Sequence, residues 1–245
     1  MRVDYATDIG PVRRSNQDAC RCGLFSDDSA WAVVCDGMGG ANGGNVASTI
    51  AVERIEEHLK NGFAETMNQG GIKSLLINAI YRANTAIYDT AKDKAELRGM
   101  GTTAVVLLAA QGQLHVAHVG DSRAYLKNSR GLNQITMDHS YVQDLVNFGQ
   151  ITKEQARIHP RRNIITRVLG VHDTVSADYS VWDFHTGDMA LACTDGLTSY
   201  MEDGLLEEYM EKNSHSGELL ISKLIQFAVD SGGADNITIA VVNHS

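Results

Sequence analysis

The sequence is short of proline, of positive charge and of long apolar runs, and each shortage excludes a class of protein. It has 2 prolines in 245 residues and no low-complexity tract, so no linker divides it into separate domains. Its 21 basic residues are outnumbered by 30 acidic ones, which gives a formal net charge of -9. Because phosphate-rich partners need a basic face, we expect no nucleic acid and no anionic membrane as partner. A cationic cofactor is easier to reconcile with this charge.

The chain also lacks a segment that could enter a membrane. No stretch approaches the ~18 consecutive apolar residues of a membrane span, and the amino terminus has no apolar signal segment. We therefore expect a soluble cytoplasmic protein, a monomer formed by a single domain over residues 1–245. Cysteine is scarce: Cys20 and Cys22 stand too close for the usual zinc knuckle, whereas Cys35 and Cys193 fit the interior of apolar strands.

Four aspartates stand where apolar runs end or begin, each beside a residue that lets the backbone turn. They are Asp36, Asp121, Asp195 and Asp235. At the ends of buried strands, such side chains can converge on one point. Their oxygens are hard ligands suited to Mg²⁺ or Mn²⁺, and a cluster of acids would repel itself without a cation. The alternative is four unrelated turn aspartates, since Asp-Gly is common in turns.

Apolar spacing predicts short strands, two long helices near the start and one near the end. The antiparallel pattern of hairpins, with helices grouped in pairs, favours antiparallel sheets covered by helices over a βαβ parallel sheet. A polar segment over residues 141–165 interrupts this pattern, and we interpret it as a lid. Predicted strands cover residues 2–7, 31–35, 104–109, 114–119, 122–127, 175–181, 189–194 and 237–242; predicted helices cover 45–61, 72–92 and 216–230, with short helical pieces at 141–148 and 153–157.

The glycine-rich stretch after Asp36 is not a nucleotide-binding loop. Its glycines fall at positions 37, 39, 40, 43 and 44, so Asn42 replaces the third glycine of a GxGxxG pattern, and no Gly-Lys-Ser/Thr follows. Two interpretations remain: a flexible loop, or a backbone that must approach a metal ion or a phosphate closely.

Eight short motifs occur in an order that identifies a family. They are Thr7-Asp8-Ile9-Gly10, Val12-Arg13-Arg14-Ser15-Asn16-Gln17-Asp18, Asp36-Gly37-Met38-Gly39-Gly40, Gly101-Thr102-Thr103, Val119-Gly120-Asp121-Ser122-Arg123, Ile165-Thr166-Arg167-Val168-Leu169-Gly170, Thr194-Asp195-Gly196-Leu197 and Asp235-Asn236-Ile237-Thr238. In this order the chain resembles PP2C-type (PPM) metal-dependent Ser/Thr protein phosphatases. It is most similar to the compact bacterial members, which act as partners of eukaryotic-like Ser/Thr kinases.

The resemblance implies an α+β fold, with two stacked antiparallel β sheets flanked by pairs of α helices. It also implies two core Mn²⁺ or Mg²⁺ ions and allows a third. Asp36 would bridge the core ions, the Gly37 carbonyl would bind the second, and Asp195 and Asp235 would complete the first. Asp121, together with Asp195, would bind the third ion.

Other positions would support this metal centre. Asp18 and Asn236 would act from behind the ligands, Asp18 through bound water. Arg13 occupies the position of the family's phosphate-gripping arginine, whereas Arg14 falls at a variable position; a surface salt bridge is the alternative role for Arg13. We expect Arg123 to be structural.

The implied reaction is hydrolysis of phosphoserine and phosphothreonine on proteins. Two cations about 4 Å apart can share a bridging water, lower its pKa and direct it at phosphorus. Arg13 can add a bidentate contact to the phosphoryl oxygens. Lysine cannot make this contact, because it lacks the planar, forked guanidinium group.

One departure from the family concerns the proton of the leaving oxygen. Family members commonly carry a histidine in or just after the glycine-rich loop, where this chain has Met38 and Ala41. We expect slower turnover of poor leaving groups, or a proton supplied by a metal-bound water. His139 is a weak substitute, because a histidine in a polar turn is usually structural or solvent-facing.

Two other functions fit the same fold. One is a pseudophosphatase that serves as a binding module, against which the retained acids and Arg13 argue. The other is a phosphatase of a sigma-factor regulator, whose relatives often carry sensor domains. In the lid segment, Arg157, Arg161 and Arg162 fit either contacts with acidic phosphopeptides or a solvated face.

Overall fold

The computed structural model describes residues 1–244, except for the side chains of residues 40–42, so Ala41 lies outside the described residues. The strands are β1 (Arg2–Asp8), β2 (Asp18–Ser26), β3 (Ser29–Met38), β4 (Gly101–Thr102), β5 (Ala104–Ala110), β6 (Gln113–Val119), β7 (Arg123–Asn128), β8 (Gly131–Gln134), β9 (Asp178–Asp183), β10 (Met189–Cys193) and β11 (Ile237–Asn243). The helices are α1 (Gly40–Gly62), α2 (Gln69–Asp93), α3 (Tyr141–Asn147), α4 (Lys153–Ile158), α5 (Asp195–Thr198), α6 (Asp203–Lys212) and α7 (Gly217–Asp230).

The strands form two antiparallel sheets. One has the order β1-β11-β10-β7-β8 and the other the order β2-β3-β5-β6-β9, with β4 added beside β3. Alternate residues of the central strands face opposite ways: on β3, Val34 packs between the sheets while Trp31 and Val33 pack under α1 and α2. Because both faces of these strands are buried, their sequences are continuous apolar runs.

Helices cover both outer faces of the sandwich. The helices α1 and α2 share one apolar cluster with the β3 sheet, and α6 and α7 share another with β10 and β11. Cys35 lies in the first cluster and Cys193 in the second, where both are fully buried. The predicted class, two stacked antiparallel sheets flanked by pairs of helices, is confirmed, as is the place of both cysteines in the core.

The first helix begins earlier than predicted, at Gly40 rather than Asn45, so most of the glycine-rich stretch is helical. A Cβ added to Gly44 would lie 2.6 Å from the Gly37 carbonyl oxygen. A Cβ added to Gly37 would lie 2.1 Å from the Gly44 carbonyl oxygen. The glycines thus let the start of α1 approach the end of β3 closely, and the flexible loop that was one interpretation is wrong.

Two longer elements escaped prediction, as did the short β4, β8 and α5. Strand β2 lies at the edge of its sheet and carries exposed polar residues such as Arg21, so its apolar alternation is weak. Helix α6 is acidic and buries only Leu206 and Met210, which is too little for a clear helical pattern.

The lid segment, residues 141–165, holds α3 and α4 and is closed at its base. Ser140 and Ile165 form an isolated antiparallel bridge, and the Tyr141 N–H donates to the Ile164 carbonyl at 2.8 Å. The Ser140 hydroxyl caps α3. No helix in the described part of the chain is both long and apolar enough to span a membrane.

Candidate metal centre

The topology brings five aspartates to one edge of the sandwich. Strands β3 and β6 run parallel on either side of β5, so Asp36 and Asp121 lie at the same edge. Asp18 is the first residue of β2 and pairs directly with Asp36 of β3. In the other sheet, β10 ends two residues before Asp195, and its antiparallel neighbour β11 starts two residues after Asp235. We name these five residues the carboxylate cluster.

A threonine joins the two sheets inside the cluster. Thr194 Oγ1 donates to Asp18 Oδ2 at 2.9 Å and accepts from the Thr238 N–H at 3.0 Å. Burial raises the pKa of Asp18 to about 7, although hydrogen bonds from Thr238 and Thr194 oppose the rise. Asp18 is therefore held by protein donors.

Two oxygens of the cluster are buried without a hydrogen-bond partner. Asp121 Oδ1 and Asp195 Oδ1 meet no donor among the residues that the structure describes. Buried polar atoms are nearly always paired in native proteins, so two such oxygens in one cluster require an explanation. A divalent cation supplies one, because Mg²⁺ and Mn²⁺ take carboxylate and carbonyl oxygens as ligands.

The charges of the cluster also call for a cation. Burial, followed by the charge of Asp18, raises the pKa of Asp36 well above its ordinary value. Burial and then the charge of Asp195 raise the pKa of Asp121 to about 8. Burial and the charge of Asp235 raise the pKa of Asp195 to about 6. Because bound cations would offset this repulsion, the residues present fit a divalent metal centre.

Two threonines fix Asp36, and sequence reasoning gave them no role. Thr103 Oγ1 accepts from the Asp36 N–H at 2.9 Å, and the Thr103 N–H donates to the Asp36 carbonyl at 2.8 Å. Thr102 Oγ1 donates to the same carbonyl at 2.8 Å. Next to Asp36, the Gly37 N–H donates to the Gln17 carbonyl at 3.1 Å. The motif containing both threonines was visible in the sequence, but only the pairing of β3 with β4 shows what they hold.

Arg13 reaches the cluster from the loop that follows β1. Its Nη2 lies 2.6 Å from Asp235 Oδ2, and its Nε donates to the Ala234 carbonyl at 3.1 Å. The Arg13 side chain is 49% exposed and that of Asp235 38% exposed, so this pair lies at the mouth of the cluster. The salt bridge considered as the alternative role for Arg13 is thus made to a predicted metal ligand.

Asn236 fastens the Arg13 loop to the cluster. Its side-chain oxygen accepts from the Gln17 N–H at 2.8 Å. Its amide donates to the Ile9 carbonyl at 2.9 Å and to the Ser15 carbonyl at 3.1 Å. Three hydrogen bonds from one buried side chain therefore fix residues on both sides of Arg13 relative to Asp235.

A cleft of about 190 Å³ lies between the cluster and the lid segment. Asp121 and Asp195 line its floor, and Lys153, Arg157 and Arg162 line the side formed by the lid segment. A basic wall facing an acidic floor suits a phosphorylated ligand held between arginine side chains and metal ions.

Of the two positions where family members carry histidine, Met38 is described and is 39% exposed. His139, the substitute considered from the sequence, is buried behind the turn that carries Asp121, and its Nδ1 accepts from the Gly120 N–H at 3.0 Å. Arg123 makes a bidentate ion pair with Asp138, with Nε–Oδ1 and Nη2–Oδ2 distances of 2.9 and 2.7 Å. This pair gives Arg123 a structural role.

The fold and the carboxylate cluster together define a class of protein: four-layered α-β-β-α sandwiches with a divalent-cation centre at one edge of the sheets. A model of the protein phosphatase 2C family matches residues 12–217. The serine/threonine phosphatase stp of Listeria monocytogenes is 38% identical over 247 residues, covering 99% of this chain and 95% of that protein. The chain belongs to the protein phosphatase 2C family.

Solved structures show the same similarity. Serine/threonine phosphatase Stp1 from Staphylococcus aureus is 36% identical with a TM-score of 0.91, covering 99% of this chain and 94% of that one. The catalytic domain of the serine/threonine protein phosphatase PstP, solved in complex with two manganese ions, is 32% identical with a TM-score of 0.82. That similarity covers 98% of this chain and 96% of the PstP chain. The family is metal-dependent, in keeping with the oxygen-rich cluster.

Proposed function

We propose that this protein hydrolyses phosphoserine and phosphothreonine on other proteins, using Mn²⁺ or Mg²⁺ at the carboxylate cluster. The observation that carries the proposal is the pair of buried, unpartnered oxygens of Asp121 and Asp195, in a cluster that Arg13 reaches from its mouth. The ions, when bound, would supply Lewis acidity and an activated water for attack on phosphorus.

The residues of the site would have separate roles in binding the ions and orienting their ligands. Asp36, Asp195, Asp235 and the Gly37 carbonyl would hold two core ions, and Asp121 with Asp195 would hold a third. Asp18, bonded to Thr194, would orient these ligands from behind.

Arg13 would bind the phosphoryl group. Its guanidinium already lies at the mouth of the cluster, and its planar fork can bind two phosphoryl oxygens at once. Metal ions at Asp235 would offset the charge that now holds Arg13, leaving the fork to face substrate. The lid segment would cover the bound phosphoprotein, with Arg157 and Arg162 facing the cleft.

We further propose that the substrates are those of a eukaryotic-like Ser/Thr kinase, because the relatives named above are Ser/Thr phosphatases. Mn²⁺ and Mg²⁺ both fit the cluster, since the same oxygens bind both. The monomeric state, the single domain and the cytoplasmic location stay predictions.

Phosphothreonine-peptide hydrolysis, titrated with Mn²⁺ and then stopped with EDTA, tests the proposal. The variants Asp36→Asn and Asp195→Asn should lose more than about 100-fold in kcat/KM, since even changes behind metal ligands cost about 10- to 100-fold. The control Asp28→Asn changes an exposed aspartate just before β3, at the end of that strand far from Asp36, and should keep full activity. Mn²⁺ binding without turnover by the wild type would instead favour the binding module.

A further inference from the structure

Behind Asp121 lies a second group of side chains able to bind a metal ion. The rings of His118 and His139 stack with centroids 4.7 Å apart and planes 12° apart. One ligand atom each from His118, His139 and Asp178 lies within 4.8 Å of the others. Burial lowers the pKa of both histidines, which keeps the rings neutral. Two neutral imidazoles and a carboxylate could in principle hold a cation.

The hydrogen bonds argue against a cation at this place. The Gly120 N–H donates to His139 Nδ1, so the ring proton of His139 must sit on Nε2. That Nε2 lies 3.3 Å from Asp178 Oδ2, and Arg167 Nη1 lies 2.7 Å from Asp178 Oδ1. Two donors therefore already occupy the carboxylate, and a cation at Nε2 would have to displace a proton and face the Arg167 guanidinium.

The same bonds fix the turn that carries Asp121. Besides the bond to Nδ1, the His139 N–H donates to the Gly120 carbonyl at 2.9 Å. Gly120 has a φ of +109°, and a Cβ there would lie 2.5 Å from Thr103 Cγ2, so the turn is tightly enclosed. On the other side of Asp121, Arg123 is held by Asp138. Consecutive residues, Asp138 and His139, thus hold Arg123 and Gly120, which lie on either side of Asp121.

His139 also contacts the base of the lid segment. Its carbonyl accepts from the Thr166 N–H at 2.8 Å. The next residue, Ser140, bridges to Ile165 and caps α3. The Asp121 turn and both ends of the lid segment are therefore joined at one histidine.

We propose that His139 is a positioning residue: its Nδ1, by accepting from Gly120, holds Asp121 in place for the third cation and ties that turn to the base of the lid segment. The proposal rests on the proposed function, because the third cation has meaning only in a metal-dependent phosphatase. It assigns His139 no contact with substrate and no proton transfer.

Two variants separate the roles of the two ring nitrogens of His139. In His139→Asn, the amide oxygen can take the place of Nδ1 and accept from Gly120, but the side chain is too short to reach Asp178. In His139→Gln, the longer amide reaches toward Asp178, but Gly120 loses its acceptor. Mn²⁺ binding is counted by the electron paramagnetic resonance signal of free Mn²⁺, which needs no turnover. We expect His139→Gln to bind the weakest Mn²⁺ about 10- to 100-fold less tightly, and His139→Asn to stay within about threefold of the wild type.

Two controls separate positioning from general stability. His115→Asn removes a buried histidine of β6 that forms a hydrogen bond with Tyr179 and none with Gly120. This variant should leave the Mn²⁺ isotherm unchanged. In Asp121→Ala, which removes the third-ion ligand, adding His139→Gln should cause no further loss of Mn²⁺ binding. The two core ions should bind all these variants as they bind the wild type.

Each outcome decides the matter. Equal third-ion affinity in His139→Gln and the wild type overturns the inference, as does an equal loss in the Asn and Gln variants. A wild type that turns over but binds only two Mn²⁺ at saturation also overturns it, while leaving the proposed function intact. Failure of the proposed function is distinct, because the wild type would then not hydrolyse the phosphopeptide, whether or not it bound Mn²⁺.

Discussion

At the scale of single residues, the position after Asp36 and Gly37 is one of two where the family resemblance implies a proton-donating histidine. Met38 stands there, 39% exposed, and a thioether cannot donate a proton. A general acid typically contributes about 10²- to 10⁴-fold, and most to poor leaving groups such as a seryl oxygen. The chain should therefore favour p-nitrophenyl phosphate, which needs no such help, over phosphoserine peptides.

Met38→His tests this expectation at one residue. We expect the ratio of phosphoserine-peptide to p-nitrophenyl phosphate turnover to rise about tenfold, because the imidazole can protonate the seryl oxygen. The gain should follow the protonated fraction of the new histidine in a pH profile. Met38→Gln, polar but unable to donate a proton in this way, is the control. A ratio that rises equally in both variants, or in neither, would contradict the idea.

The charged residues of the site were visible in the sequence, whereas the threonines that hold them were not. Asp36 and Asp195 each precede a glycine at the end of an apolar run, and together with Asp121 and Asp235 they indicated a metal centre. Asn236 belongs to a motif of the family, so the resemblance implied its supporting role. Thr194 resembles an ordinary polar residue until the fold places it against Asp18, 176 residues away in the chain, so no local pattern could reveal its role.

At the scale of elements, the contact between β3 and α1 places the metal-binding edge. The Gly37 and Gly44 backbones meet so closely that neither position tolerates a Cβ. We expect Gly44→Ala to destabilise the protein by about 1 to 3 kcal/mol, through overpacking against the Gly37 carbonyl. Activity should fall by about 10²-fold, because the displacement reaches Asp36 directly. Urea unfolding and phosphopeptide turnover measure the two effects.

Gly204→Ala is the matched control for that substitution. Gly204 also lies inside a helix, α6, but a Cβ there would meet nothing within 4 Å. Alanine should stabilise the protein by about 0.5 to 1 kcal/mol there, because it reduces the freedom of the unfolded chain. If the two variants behaved alike, the close contact of β3 and α1 would not matter.

The elements that could be predicted are those buried most deeply. The central strands and the helices α2 and α7 show clear periods, because burial imposes an apolar residue at every inward position. The start of α1 was misplaced, since glycines normally discourage helices and only a close approach to β3 explains them. Strand β2 was missed because an edge position lets polar residues interrupt the alternation.

At the scale of the whole molecule, the carboxylate cluster should control stability as a function of pH. Burial raises the pKa values of Asp195, Asp18 and Asp121 to about 6, 7 and 8, above the unfolded value of about 3.9. The folded protein therefore holds protons that the unfolded chain has released. Without metal, stability should fall as pH rises from about 4 to about 8.

Urea unfolding in EDTA at pH 5.5 and pH 8 measures this dependence. We expect the free energy of unfolding to be lower by about 2 to 5 kcal/mol at pH 8, since each unit of pKa difference corresponds to about 1.4 kcal/mol. Asp121→Asn removes the carboxyl with the pKa near 8 and should flatten the slope. With Mn²⁺ in excess the sign should reverse, because the ions bind only deprotonated carboxylates. A metal-free protein equally stable at both pH values would show that the pKa values of the buried carboxyl groups are not raised.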